Sequence, residues 1–370
     1  MRIAYIAVKG ISIGGGVERV TEQLGSKMVE RGHEVTVYSS RNYGTEDSVY
    51  KGMRIKTVPS VNIKAAHKLS ICWNATFDVM QKRNADVVHV HAVGPSLFSI
   101  FPRMVGIPTV VQIHGLEWER DKWGIIGRTF FKLAAYTAVY FPNKVTAVSK
   151  VQKRYFEGRF GREVIYIPNG VNPVKKIPPR WIHYQGIQPG RYILFAARLV
   201  EEKGAHFLIE AFKKIQTDLQ LVIAGDAAYA EKYKKALRHL AADDRRIRFT
   251  GYLTGEPLAE LFSNAYLFCI PSTVEGLPMA LLEAMNYGNC CLASDIPENL
   301  EALENNGYTF HNRDVADLCR ILNELIKNPQ KVEEKKIPAV HHVRCNYSWV
   351  RVADEMESLY RSILESQKSN

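Results

Sequence analysis

The stretch Tyr192-Ile193-Leu194-Phe195-Ala196-Ala197-Arg198-Leu199-Val200-Glu201-Glu202-Lys203-Gly204 decides the fold of this 370-residue chain. Five apolar residues in a row, 192–196, read as a strand buried on both faces, because a half-solvated strand would alternate apolar and polar residues. Two cations and a glycine follow at once. That is the layout of a strand-to-helix turn at the carboxyl end of a parallel sheet, where open α/β sheets bind their ligands. Arginine offers planar bidentate contacts to phosphate and lysine a point charge, so Arg198 and Lys203 could neutralise a diphosphate without a metal.

The same pattern repeats outward. In the C-terminal half, apolar strands are expected at 219–224, 247–250, 267–270 and 290–293, with helices between. In the N-terminal half, a strand at 3–8 runs into a glycine loop, then a helix at 17–31 that Gly32 stops. Strands at 34–38, 87–90, 109–113, 145–148 and 163–167 follow. Asn172-Pro173, Pro178-Pro179 and Gln188-Pro189-Gly190 break the pattern. The reading is α/β, with two parallel sheets, each covered on both faces. A polar helix is expected from Trp349 to about Ser366.

Composition agrees with two domains. The chain is 46% hydrophobic and 24% charged. No apolar run approaches the roughly 18 residues that span a bilayer. The segment 1–8 lacks a small-residue cleavage site and reads as a first strand. The six cysteines form no C-x-x-C pair and read as buried thiols in a reducing cytosol. Net charge is +11, and residues 1–172 carry all of it, with 24 Lys/Arg against 13 Asp/Glu. Such a surface attracts anions, although dispersed solvated lysine accounts for it equally well.

The second informative stretch is Glu275-Gly276-Leu277-Pro278-Met279-Ala280-Leu281-Leu282-Glu283. An acid in a Gly/Pro loop precedes an apolar helix whose first-turn N–H groups can face an anion. A second acid lies more than one turn inside. A sugar nucleotide needs one acceptor for sugar hydroxyls, one for the ribose diol, and donors for phosphate between them.

With Gly14-Gly15-Gly16, His114-Gly115, Ala147-Val148-Ser149, Ile167-Pro168-Asn169-Gly170-Val171, Arg198 with Lys203-Gly204, Ala224-Gly225-Asp226 and the Glu-x7-Glu pair in this order, the chain resembles the family 4 retaining glycosyltransferases over nearly its whole length. The resemblance implies the GT-B fold: two Rossmann-like domains facing across a cleft, with a C-terminal helix crossing back to the first. The expected domains are 1–172 plus about 349–366, binding the acceptor, and 190–345, binding the nucleotide sugar. It implies a catalytic set of Glu275, His114, Arg198 and Lys203. Gly15, Gly16, Asn169, Gly276, Leu277 and Glu283 join Arg198 and Lys203 on the donor, Glu275 taking sugar hydroxyls and Glu283 the ribose. Glu117, Trp118 and Arg120 lie in a charged loop that resembles bacterial rhamnosyltransferase-like members and are expected to meet the acceptor. Ala227-Ala228-Tyr229 departs from the family, which often has a second glycine there.

Each residue also has a plainer reading. Glu275 and Glu283 could be a cap and a surface acid, Arg198 and Lys203 solvated charges, Asn169 a turn residue, and Trp118 a packed side chain. His89 and His91 alternate on a strand without further metal ligands nearby and read as structural. The aromatic helix 127–141 reads as core packing or as a membrane-contacting face, with Arg128 and Lys132 the first candidates for lipid contact. The expected protein is a cytoplasmic, metal-independent hexosyltransferase that acts on a nucleoside diphosphate sugar and a glycan or lipid-linked acceptor. It would serve cell-surface polysaccharide synthesis, with peripheral contact to anionic membrane at the inner face and no nucleic-acid partner. A nucleotide-sugar epimerase of the same fold and a non-catalytic carbohydrate-binding protein are the alternatives.

Overall fold

A computed structural model describes residues 1–11, 15–43, 48–61, 67–120, 123–227 and 230–368. The chain divides into two units: Met1–Gly170 with Trp349–Asn370, and Val171–Ser348.

The first unit is built on strands β1 (Arg2–Ile6), β2 (Glu34–Ser40), β3 (Ser48–Tyr50), β4 (Met53–Val58), β5 (Val87–His91), β6 (Thr109–Ile113), β7 (Lys144–Ala147) and β8 (Ile165–Tyr166). Among the described residues their order is β3-β4-β2-β1-β5-β6-β7-β8, and only β3 runs antiparallel to its neighbour. The apolar runs demand this: β5 and β6 are buried along their whole length, so helices must cover both faces. The sheet winds outward from β1 in both directions. Its topological switch point therefore lies between the carboxyl ends of β1 and β5.

The second unit carries β9 (Tyr192–Ala196), β10 (Gln220–Ala224), β11 (Ile247–Gly251), β12 (Leu267–Ile270), β13 (Cys291–Ser294) and β14 (Tyr308–Phe310). Their order is β11-β10-β9-β12-β13-β14, parallel throughout. Here the switch falls between β9 and β12, so the loops that begin at Ala197 and at Pro271 flank it.

Three features differ from the sequence reading. The hairpin β3–β4 was not expected. Its two-residue turn, Lys51-Gly52, has positive φ at both positions, the twist that matches paired strands, but Lys-Gly is not a strong hairpin signal. Strand β14 was missed for its brevity. The last helix, Trp349–Lys368, is amphipathic rather than polar: it buries Trp349, Val352, Ala353, Met356, Leu359, Tyr360 and Ile363 at helical spacing within the first unit. Arg31, at the end of helix Gly16–Glu30, pairs with Asp354 at 2.7 Å and Glu357 at 3.1 Å on that helix.

Candidate functional site

In the second unit, three loops are laced together where the sheet switches. The Ala197 N–H donates to Ala224 O (3.1 Å) and the Leu199 N–H to Asp226 O (3.3 Å), binding the loop after β9 to the end of β10. Gly225 has φ +147°, and a Cβ there would lie 1.8 Å from Ala197 O, so only glycine fits. Glu201–Lys203 makes one 3-10 turn, which Gly204 ends at φ +70°; a Cβ on Gly204 would meet Pro271 O at 2.0 Å. The Thr273 N–H donates to Glu202 O (2.9 Å), tying in the loop after β12.

This lacing brings Lys203 and Glu275 together. Lys203 Nζ donates to Glu275 Oε1 at 2.6 Å, with most of both side chains out of solvent. Arg198 reaches outward, 3.3 Å from Glu202. Helix Met279–Asn286 starts just beyond, capped by Pro278, so Gly276 and Leu277 lie in the loop before it, not in its first turn. The N–H groups of Leu281 and Leu282 both turn back to Pro278 O. Glu283 is half-buried on this helix. Behind the loop, Asn299 Nδ2 donates to Ser294 O (3.1 Å) and Oγ (2.9 Å), while Ser294 Oγ donates to Ser272 O. An ammonium, a guanidinium and a helix N-terminus beside a carboxylate can take an anion and a polyol at once.

In the first unit, His114 follows β6 directly and keeps an exposed edge. Its Nε2 lies 3.0 Å from His91 Nδ1, and His91 Nε2 lies 3.1 Å from Thr21 Oγ1. His89, two residues earlier on the same face, has Nδ1 2.5 Å from the Tyr360 hydroxyl. Burial pushes His89 and His114 down to about 3 and His91 well below its ordinary value, with Lys68 and Arg120 adding repulsion at His114. The imidazoles are therefore neutral at pH 7. Sequence reading set His89 and His91 aside; the available signal was their shared strand face beside the strand that ends at His114. Lys68 was missed altogether, because nothing in its local sequence marks it.

Glu117 opens a single 3-10 turn, Arg120 follows it, and the two approach each other to 3.6 Å. Trp118, on the same turn, is buried against Tyr155 and Phe156 in the core, the position of its plainer reading as a packed side chain. Gly15 caps helix Gly16–Glu30, and a Cβ there would strike the Glu18 carboxylate at 2.0 Å. A Cβ on Gly16 would meet nothing within 4 Å among the described residues outside its own helix backbone and chain neighbours. Asn169 is buried, and its Oδ1 has no hydrogen-bond partner among the described residues. Gly14, Asp121, Lys122, Ala228 and Tyr229 lie outside the described residues.

The aromatic helix spans Ile125–Tyr140. Phe131 packs against the core and on Trp123, with ring centroids 4.9 Å apart, and Phe130 lies edge-on to it at 5.2 Å, so Phe131 is not part of an exposed face. The outer face instead shows Ile125 (86% exposed), Ile126 (87%) and Leu133 (63%), with Tyr136, Arg128 and Lys132 also exposed. Among the described residues no helix is long and apolar enough to cross a membrane.

Two family models match. Residues 14–175 match "Glycosyltransferase Family 4" and residues 184–339 match "Glycosyl transferases group 1". The alpha-maltose-1-phosphate synthase of Mycobacterium tuberculosis is 27% identical over 309 residues, covering 75% of this chain and 79% of that protein. Among solved structures, HepE of Anabaena in complex with UDP and glucose superposes with a TM-score of 0.82 at 18% identity, covering 98% of this chain and all of that one. WaaG, a glycosyltransferase involved in lipopolysaccharide biosynthesis, does so at 0.78 and 17% identity, covering 97% of this chain and 99% of that one.

Proposed function

Because the chain belongs to family 4 of the glycosyltransferases and has the GT-B fold, we propose that it transfers a sugar from a nucleoside diphosphate to a hydroxyl acceptor with retention at the anomeric carbon. The observation that carries this reading is the Lys203–Glu275 pair at the switch point of the second sheet, with Arg198 on the same loop. In this reading the second unit holds the nucleotide sugar. Arg198, Lys203 and the backbone amides of Gly276 and Leu277 meet the diphosphate, Glu283 the ribose, and Glu275 the sugar hydroxyls. The bond from the anomeric carbon to the phosphate oxygen breaks, and the acceptor oxygen bonds to the same face. The acceptor proton passes to the departing phosphate. Charge accumulates on the diphosphate in the transition state, so fixed cations there lower the barrier more than they tighten ground-state binding. Glu275, already paired with a lysine, is suited to positioning the sugar. No metal is required.

The first unit presents the acceptor in this reading. Gly15, Gly16, His114 and Asn169 contribute to the donor, and Glu117 and Arg120 to the acceptor. Lys68 and Arg120 beside His114, with the positive balance of residues 1–172, favour a phosphate-bearing acceptor. The exposed apolar face of Ile125–Tyr140, flanked by Arg128 and Lys132, suits an anionic membrane surface. Together these support a lipid-linked acceptor at the cytoplasmic face of a membrane, in cell-surface polysaccharide synthesis.

Incubation with UDP-, GDP- and ADP-sugars tests the reaction class. Slow release of free nucleoside diphosphate without acceptor is expected; a new nucleotide sugar would make the protein an epimerase, and binding without turnover a carbohydrate-binding protein. Calorimetry with the bare nucleoside diphosphate tests the site: Glu283→Ala weakens binding, whereas Glu275→Ala leaves it nearly intact yet damages turnover. Equal weakening by both would overturn the assignment.

A further inference from the structure

The contacts around His114 favour one position for its proton. Thr21 Oγ1 donates to Val17 O at 2.9 Å, one turn back in its own helix. A hydroxyl has one proton, so its longer contact, 3.1 Å to His91 Nε2, has the imidazole as donor. His91 is fully buried and neutral, so it carries one ring proton, and that proton is on Nε2. Its Nδ1 is then a lone pair, and the 3.0 Å contact to His114 is donated by His114 Nε2–H. His114 is neutral too, which leaves its Nδ1 as an acceptor.

We propose that His91 is a positioning residue, which with Thr21 holds His114 in the Nε2–H tautomer so that Nδ1 accepts a hydrogen bond from a hydroxyl of the transferred sugar. This rests on the reading of His114 as a donor-sugar contact. The polarity matters to the chemistry. As the glycosidic bond breaks, the sugar ring becomes positive and its hydroxyls become better donors. An acceptor lone pair therefore binds more tightly in the transition state than in the ground state, whereas an Nδ1–H donor or an imidazolium would oppose the developing charge. The relay starts in helix Gly16–Glu30, whose Thr21 meets His91 on β5, so it is in place before any ligand arrives. The His89 ring lies 4.5 Å from that of His91 and is itself held by Tyr360.

The full-length protein, labelled with ¹⁵N in its imidazoles, tests the proton positions directly by long-range ¹H–¹⁵N correlation at neutral pH. His91→Gln and His114→Gln assign the signals. The neutral Nε2–H pattern is expected at both rings; an Nδ1–H pattern or an imidazolium at His114 would overturn the proposal. Kinetics test its consequence. Thr21→Val removes the relay's acceptor without touching His114, and should lower kcat for nucleoside diphosphate release from UDP-glucose, or from whichever sugar of the panel is turned over, by about five- to tenfold, the equivalent of one hydrogen bond. Binding of the bare diphosphate should stay unchanged, and Thr21→Ser should restore the rate. Normal kcat in folded Thr21→Val overturns the relay. Normal kcat in His114→Ala instead overturns the donor contact itself, an outcome distinct from the tautomer result because the spectrum is read without substrate.

Discussion

Lys203 and Glu275 are 72 positions apart in sequence and 2.6 Å apart in space. The charge types were legible from the sequence: a lysine before a glycine at a strand-to-helix turn, and an acid before an apolar helix. Their direct pairing was not, since it depends on Gly204 lying against Pro271 O. The pairing also changes what a substitution does. Sequence alone suggests that Lys203→Ala would leave folding untouched, but it strands a largely buried carboxylate, and breaking such a pair costs about 3–5 kcal/mol in buried cases. Lys203→Met should therefore lower stability in urea, and Lys203→Met with Glu275→Gln should recover most of it. Turnover should recover in neither, with about 2–4 kcal/mol of transition-state stabilisation lost. A double variant as unstable as the single one would show that the pair is not what the carboxylate needs. The burial of Trp118 was hidden for the opposite reason. The sequence puts a tryptophan among charges, but a single 3-10 turn aims it at Phe156 and the core while Glu117 and Arg120 stay nearer the surface.

At the scale of elements, strands buried on both faces were the most legible, because an unbroken apolar run leaves few other options; β9 and β12 match their expected bounds. Helices with mixed faces were less so. Trp349–Lys368 looks polar by composition, yet its apolar stripe includes Tyr360, which is fully buried with its hydroxyl 2.5 Å from His89 and 3.4 Å from Tyr5. Spacing could have shown the stripe; its partner on β5 could not be read, because it lies 271 residues away. Tyr360→Phe keeps the ring and removes the hydroxyl, leaving His89 Nδ1 buried without that partner. A loss of about 1–3 kcal/mol in urea unfolding is expected. A loss under a few tenths would mean that the hydroxyl contributes little and that the helix is held by apolar packing alone.

For the molecule as a whole, the buried imidazoles and the uneven charge have opposite kinds of consequence. His89 and His91 titrate near 6.5 when unfolded, but burial holds His89 to about 3 and His91 well below its ordinary value in the folded chain. Below pH 6.5 the unfolded state takes up protons that the folded state refuses. Their contribution is thus full above pH 6.5 and shrinks as pH falls, by up to about 1.4 kcal/mol per pH unit for each histidine. Urea midpoints should drop between pH 7.5 and 5.5; a flat profile would show that the rings are protonated or solvated in the folded chain. The charge acts outward instead. Exposed Arg128 and Lys132 share a helix with exposed Ile125, Ile126 and Leu133, so attraction to an anionic surface and apolar insertion would act at one place. The electrostatic part is screened over about 8 Å at physiological ionic strength, and the apolar part is not. Sedimentation with anionic vesicles should therefore be strong at low salt and weaker but measurable at high salt. Arg128→Ala with Lys132→Ala should remove mainly the salt-sensitive part, and Ile125→Ser with Ile126→Ser the residue that survives salt. Nucleoside diphosphate binding, assigned to the second unit, should be unchanged in all of these variants. Wild-type protein that stays in the supernatant with anionic vesicles at low salt would make an acceptor free in solution the better reading.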